Sequence, residues 1–76
     1  MLILYNTSIT DAGLKYVVML NNVDTLYLSH TRITDMGLRE LAQLRKLGTL
    51  FIEGTDVSNG GVKDLQTKLP MCNIIR

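Results

Sequence analysis

Residues 31–38 read TRITDMGL, and two stretches of related pattern stand elsewhere in the chain. TSITDAGL occupies residues 7–14 and TDVSNGGV occupies 55–62, so the copies begin at Thr7, Thr31 and Thr55, a constant period of 24. Inside the central copy, Thr34 followed by Asp35 has the chemistry of a helix start. A threonine hydroxyl accepts a hydrogen bond from an orphan amide, and an aspartate suits the positive end of the helix. Leu38, Leu41 and Leu44 then recur at a spacing of three, which is one stripe of a helix. Just upstream, Leu26-Tyr27-Leu28 alternates apolar positions as a strand does. The stretch therefore marks the passage from a strand into a helix, and the chain makes that passage three times.

The whole sequence falls into register at this period. Leu2, Leu26, Leu50 and Ile74 share a column, as do Leu4, Leu28 and Ile52. Ile9 aligns with Ile33 and Val57, Leu14 with Leu38 and Val62, and Val17 with Leu41 and Leu65. Val23, Leu47 and Met71 close the unit. A fixed period of this length is the signature of stacked supersecondary units, none of which can bury its apolar face alone. The pattern predicts strands near residues 2–5, 26–29, 50–53 and 74–75. It predicts helices near 11–20, 35–46 and 59–68, the last ended by Pro70, which lacks an amide donor. The expected units are 2–22, 23–46 and 47–70 with a terminal strand in 71–76, all within one domain of 76 residues.

Two polar columns call for a structural account. Thr7, Thr31 and Thr55 sit where the chain leaves each strand. Their hydroxyls are expected to bond backbone groups of the same or the adjacent turn, since buried polar groups need partners. Gly13, Gly37 and Gly61 fall in the first turn of each helix, where glycine costs up to about 1 kcal/mol against alanine. Close approach between each helix and the neighbouring loop is the expected reason. A phosphate-binding loop is not, because no Lys-Ser or Lys-Thr follows these single glycines or the NGG of residues 59–61.

The arrangement L-x-L-x-x-T-x-I-T-D-x-G-L-x-x-L-x-x-L resembles the leucine-rich repeat family. The family's L-x-x-L-x-L-x-x-N/C-x-L maps onto Val23, Leu26, Leu28, Thr31 and Ile33, and again onto Leu47, Leu50, Ile52, Thr55 and Val57. Threonine in place of asparagine or cysteine looks like the TDxGL bacterial type. It is also similar to the repeats of F-box and ribonuclease-inhibitor-like proteins, although their repeat cysteines and any F-box segment are absent. The resemblance implies an α/β fold, a right-handed solenoid with a parallel sheet on its concave face and helices on its convex face. It implies protein binding rather than catalysis. The array opens at Leu2 in mid-unit, and KLPMCNIIR at 68–76 departs from the repeat much as a last unit does. The chain is therefore expected to be the C-terminal part of a longer array, with solenoid ends open to self-association.

If Leu26 and Leu28 point inward, the intervening residues point out. Ile3, Tyr27, Phe51 and Ile75 then form one outward column, and Tyr5, Ser29 and Glu53 the next. Aromatic residues on such a face serve equally as interface anchors or as cross-strand packing partners. His30 and Arg32 follow on the rim loop. Since His30 aligns with Asn6 and Gly54, it reads as free of any repeat requirement. The concave-face candidates are thus Ile3, Tyr5, Tyr27, Ser29, Phe51, Glu53, His30 and Arg32, with Thr7, Thr31 and Thr55 as a structural ladder.

Net charge is +1, and the cations are interspersed with acids, which leaves no basic stripe for nucleic acid or an anionic membrane. No apolar run approaches the ~18 residues of a membrane span, and the N-terminal segment lacks the layout of a signal peptide. The one cysteine, Cys72, forms no internal disulfide and reads as buried and inert. A cytoplasmic location is favoured on these grounds. Asn6-Thr7-Ser8 matches a glycosylation acceptor with no secretion signal beside it. One histidine and one cysteine lie far apart, and no nucleophile, base and orienting group converge, so neither an enzyme nor a metal or other cofactor is expected. The expected partner is a protein.

Overall fold

The computed structural model describes residues 1–76. Four short strands and three helices alternate: β1 (Leu2–Ile3), α1 (Asp11–Val17), β2 (Thr25–Tyr27), α2 (Asp35–Glu40), β3 (Thr49–Phe51), α3 (Asn59–Lys68) and β4 (Asn73–Ile75). The fold is α/β. All strand pairs are parallel and the sheet order is β1-β2-β3-β4, the order of the sequence. Leu2 pairs with Leu26, Leu26 with Leu50 and Leu50 with Ile74, so the repeat period is the register of the sheet. The helices follow the same order, α1 against α2 and α2 against α3.

The core is built from the apolar columns. Leu26, Leu28, Ile33, Leu38, Leu41, Leu44 and Leu50 are wholly buried. Each such side chain stabilises the fold by about 1.5–3 kcal/mol relative to leaving it in water. β1, β2, β3, α1 and α2 end earlier than the pattern predicts, while α3 spans the predicted 59–68 and β4 begins one residue before the predicted strand. The early ends of the strands and of α2 have local reasons. Asn6, His30 and Gly54 have φ of 59°, 58° and 70° and turn the chain out of the extended form just past each strand. Backbone bonding nevertheless continues to that point, from the His30 amide to the Glu53 carbonyl at 2.7 Å. α2 gives way at Leu41–Gln43 to a 3-10 turn. This tighter winding carries into the bend that brings both Leu44 and Leu47 into the core.

The last column is not as the period predicts. Met71, aligned with buried Val23 and Leu47, is 91% exposed, and Cys72 is buried in its stead. One residue is gained around Pro70 and given back before β4, whose register returns to the repeat period. Gln66 holds the displaced turn, its amide donating to the carbonyls of Leu69 (3.0 Å) and Cys72 (2.7 Å). Burial pushes the Cys72 thiol above its ordinary pKa.

Adjacent helices are clasped by aspartates. Asp11 opens α1, yet its carboxylate reaches the start of α2, where it accepts from the Thr34 amide (2.8 Å) and the Thr34 hydroxyl (2.5 Å). Asp35 repeats this on α3, accepting from the Ser58 amide (2.7 Å) and the Ser58 hydroxyl (2.5 Å). The same hydroxyls cap their own helices, Thr34 accepting from the Met36 amide (3.3 Å) and Ser58 from the Gly61 amide (3.1 Å). The hydroxyl donates its hydrogen bond to the carboxylate, which leaves its own oxygen lone pairs to accept from the helix. The glycine column now has its cause. A Cβ at Gly37 would overlap the Asp11 carboxylate, and one at Gly61 the Asp35 carboxylate. The close approach is to a side chain of the preceding helix, not to loop backbone. Gly13 has no such aspartate and faces only the Ile9 side chain.

Two outcomes are expected in denaturation experiments. Gly61→Ala displaces a doubly bonded carboxylate and destabilises by about 1–3 kcal/mol. Gly60→Ala, next to it in the helix with only ordinary contact to Ser58 at 3.7 Å, stabilises by about 0.4–1 kcal/mol. Equal urea midpoints for the two variants would contradict the clasp.

The hydrogen bonds from Ser58 hold the Asp35 carboxyl below its ordinary pKa of 3.8, against a smaller opposing effect of desolvation. A lowered folded-state pKa means that the unfolded chain takes up the proton first as pH falls. The contribution of Asp35 is therefore fully present above about pH 4 and is lost as pH drops through the lower folded value. Asp35→Ala should be less stable at neutral pH and lose stability less steeply below about pH 4. Urea midpoints measured against pH check this.

Candidate functional site

The sheet has one face in the core and one face outside, because side chains alternate along a strand. Leu26 and Leu50 point in, while Tyr27 and Phe51, the next residue in each strand, are only partly buried. The register places Ile3 beside Tyr27, Tyr27 beside Phe51 and Phe51 beside Ile75. The Tyr27 and Phe51 rings stack face to face, centroids 4.4 Å apart and planes inclined by 2°. Tyr5 meets Tyr27 edge-on at 6.4 Å. Three of the chain's four aromatic residues are thus joined in one cluster; the other, Tyr16, lies on α1. Such contacts contribute about 0.5–1.5 kcal/mol each beyond area burial. They also make the cluster rigid, which lowers the entropy cost of using it as a contact surface.

Polar groups border the cluster on one side. The Ser29 hydroxyl donates to Glu53 Oε1 at 2.8 Å, which fixes the exposed carboxylate beside the aromatic rings. Ile3 and Tyr5 are half exposed, at 50% and 48%. The structure therefore brings Ile3, Tyr5, Tyr27, Ser29, Phe51 and Glu53 together on one face. Arg32 is exposed on the loop beyond, its amide bonded to the Ile9 carbonyl at 3.2 Å.

The threonines sit under this rim as three separate bonds. Thr7 donates to the Leu4 carbonyl (2.6 Å), Thr31 to that of Leu28 (2.7 Å) and Thr55 to that of Ile52 (2.7 Å). Every bond stays within its own turn, and Thr31 is the one that is fully buried.

His30 is not free of constraint, contrary to the reading from the alignment of Asn6, His30 and Gly54. All three occupy the left-handed region of φ. Glycine tolerates it without cost, and asparagine and histidine are enriched there among other residues. The His30 ring also lies over Gly54, where a Cβ would collide with Nδ1. The residue types in this column carried the conformational signal, but Asn, His and Gly share no single property that spacing alone reveals. No three His, Cys, Asp or Glu side chains are grouped as ligands for a metal ion. No helix is long and apolar enough to cross a membrane.

His30→Asn should keep stability within about 0.5 kcal/mol, whereas His30→Val, β-branched at positive φ, should lose about 1–2 kcal/mol. Thermal denaturation of the two variants measures this, and a tolerated valine would refute the conformational demand.

No protein-family model matches the chain, and no curated protein or solved structure matches it.

Proposed function

We propose that the chain is a leucine-rich-repeat-type solenoid segment and works as a non-catalytic protein-interaction module. The solenoid reading is supported by the constant register running through all four strands. It is supported too by the aspartate clasp, which recurs one repeat later. In this reading the outer face of the sheet is the concave face, and a partner protein docks across it. The observation that carries the function is the ordered cluster of Tyr5, Tyr27 and Phe51, flanked by Ile3 and Ile75. Aromatic groups bury a large area at small entropic cost and dominate binding at interface centres. Cross-strand stacking by itself explains Tyr27 on Phe51, but it leaves Ile3 and Tyr5 half in water.

A double variant, Tyr27→Asp with Phe51→Asp, tests the reading in an affinity capture from the source cells. Circular dichroism must first show that the variant folds. A protein retained by the wild type should be lost from the variant, since removing a central anchor costs ~2 kcal/mol or more of binding energy. Retention of the same proteins on both baits would assign the aromatic cluster to sheet packing alone.

A further inference from the structure

Asparagine stands at positions 6, 21, 22, 59 and 73, and Asn59 alone is followed by glycine. It is the first residue of α3 and is exposed. The polar contacts at this helix start belong to Ser58. Ser58 donates to Asp35 through its amide and its hydroxyl, and it accepts from the Gly61 amide (3.1 Å) and the Val62 amide (3.1 Å). The Asn59 side chain takes part in none of these bonds. The Gly60 amide, one of the orphan donors of a helix start, is left without an acceptor. Only the Ser58 hydroxyl stands near Gly60, 3.7 Å from the place a Cβ would take.

An asparagine side chain and the next backbone amide can close on each other to a cyclic imide. The Gly60 nitrogen would attack the Asn59 side-chain carbonyl carbon and lose its proton. The side-chain nitrogen would leave with that proton as ammonia. Water then opens the imide at either carbonyl, giving aspartate or its isomer, isoaspartate. Two conditions govern the ring closure. The attacking nitrogen must be accessible and unbonded, and the peptide between the two residues must rotate out of the helical form. Glycine meets both, because no Cβ shields its nitrogen and its backbone turns freely. The other asparagines precede Thr7, Asn22, Val23 and Ile74, of which three are stiff and β-branched. Rotation at Asn59 also requires the first turn of α3 to open. Helix ends fray readily, and here the bonds that fraying must break are those of the Ser58 cap.

We propose that Asn59-Gly60 is a self-modification site, at which Asn59 is converted without an enzyme into aspartate and isoaspartate at a rate set by the Ser58 cap. Each conversion replaces a neutral amide by a carboxylate and takes the net charge from +1 to zero. The two products act oppositely on the fold. Aspartate gives α3 the residue type that Asp11 and Asp35 supply at the starts of α1 and α2. A negative charge there suits the positive end of the helix. Isoaspartate routes the main chain through the side-chain methylene. The backbone is then one carbon longer inside the turn that Ser58 closes onto Gly61 and Val62, and those bonds lose their geometry. The site belongs to the helical layer, where α3 packs against α2, so it is independent of any partner on the outer face of the sheet.

Mass spectrometry of the folded chain, incubated at mildly alkaline pH and digested at intervals, tests the proposal. The peptide that holds Asn59 should exchange NH for O first, and faster as pH rises, while Asn22 and Asn73 are still intact. Gly60→Ala should lose most of the modified fraction at equal times. Ser58→Ala, which removes the cap, should raise that fraction. Thr67→Ala deletes a hydroxyl bond to the Lys63 carbonyl in the same helix and should leave the rate unchanged, which separates the cap from general loosening of α3. Asn59 still intact when the other asparagines have reacted overturns the proposal, and so does Gly60→Ala reacting as fast as the wild type. Ser58→Ala reacting no faster than the wild type, or no faster than Thr67→Ala, overturns the control by the cap. Separated by chromatography, the aspartate form should unfold at a urea midpoint no lower than the wild type's, and the isoaspartate form at a lower one. Equal midpoints for the two products overturn their assigned effects.

Discussion

Every strand must re-enter the sheet one repeat after the last, at the same height, and the rest of the structure is arranged around that requirement. The parallel pairing of Leu2, Leu26, Leu50 and Ile74 states it in the backbone. Side chains then meet their own equivalents, so one good packing solution serves several times. The aspartate clasp fixes the same offset on the helical side, where hydrophobic contact by itself permits sliding. Asp11 and Asp35 each link two helix starts through a hydroxyl that serves both partners. A carboxylate bonded by an amide and a hydroxyl is directional in a way that leucine against leucine is not.

Much of this was legible from residue types. Leucine alternation in 26–28 and the stripe at 38, 41 and 44 both record burial, and burial is what the fold kept. The helix starts at 35 and 59 were equally plain. What escaped was the direction of particular side chains. Asp35 fits a helix-start role in its own helix so well that nothing in the sequence points to its bonds with Ser58 in the next one. The glycine column signalled close approach, but its neighbour proved to be that carboxylate. At the chain's last turn the alignment assigned Met71 to the core. A one-residue shift around Pro70 put Cys72 there, which agrees with the burial expected of that cysteine from its residue type, but periodicity by itself does not report a shift that is compensated before the next strand.

The outer face was legible in part. Alternation alone places Tyr27 and Phe51 side by side, and their stacking follows from strand spacing. The bond from Ser29 to Glu53 and the edge-on approach of Tyr5 needed coordinates. The rim was misread at His30 because its column was judged by chemistry when its common property is backbone shape. The proposed interaction surface therefore combines an ordered apolar centre with one oriented carboxylate.

The identity of sheet order and sequence order has a mechanical consequence. The chain enters at one edge of the sheet and leaves at the other, with no strand inserted between earlier ones. Tension applied to the two ends acts across the strands, along the hydrogen bonds, and loads the outermost pair before any other. The sheet should then open as a zipper does, one strand at a time, and not shear as a block. Each opened segment would release one repeat's length of slack, an increment set by the register. Stretched between two anchored points, such a chain would lengthen in steps and yield at low force.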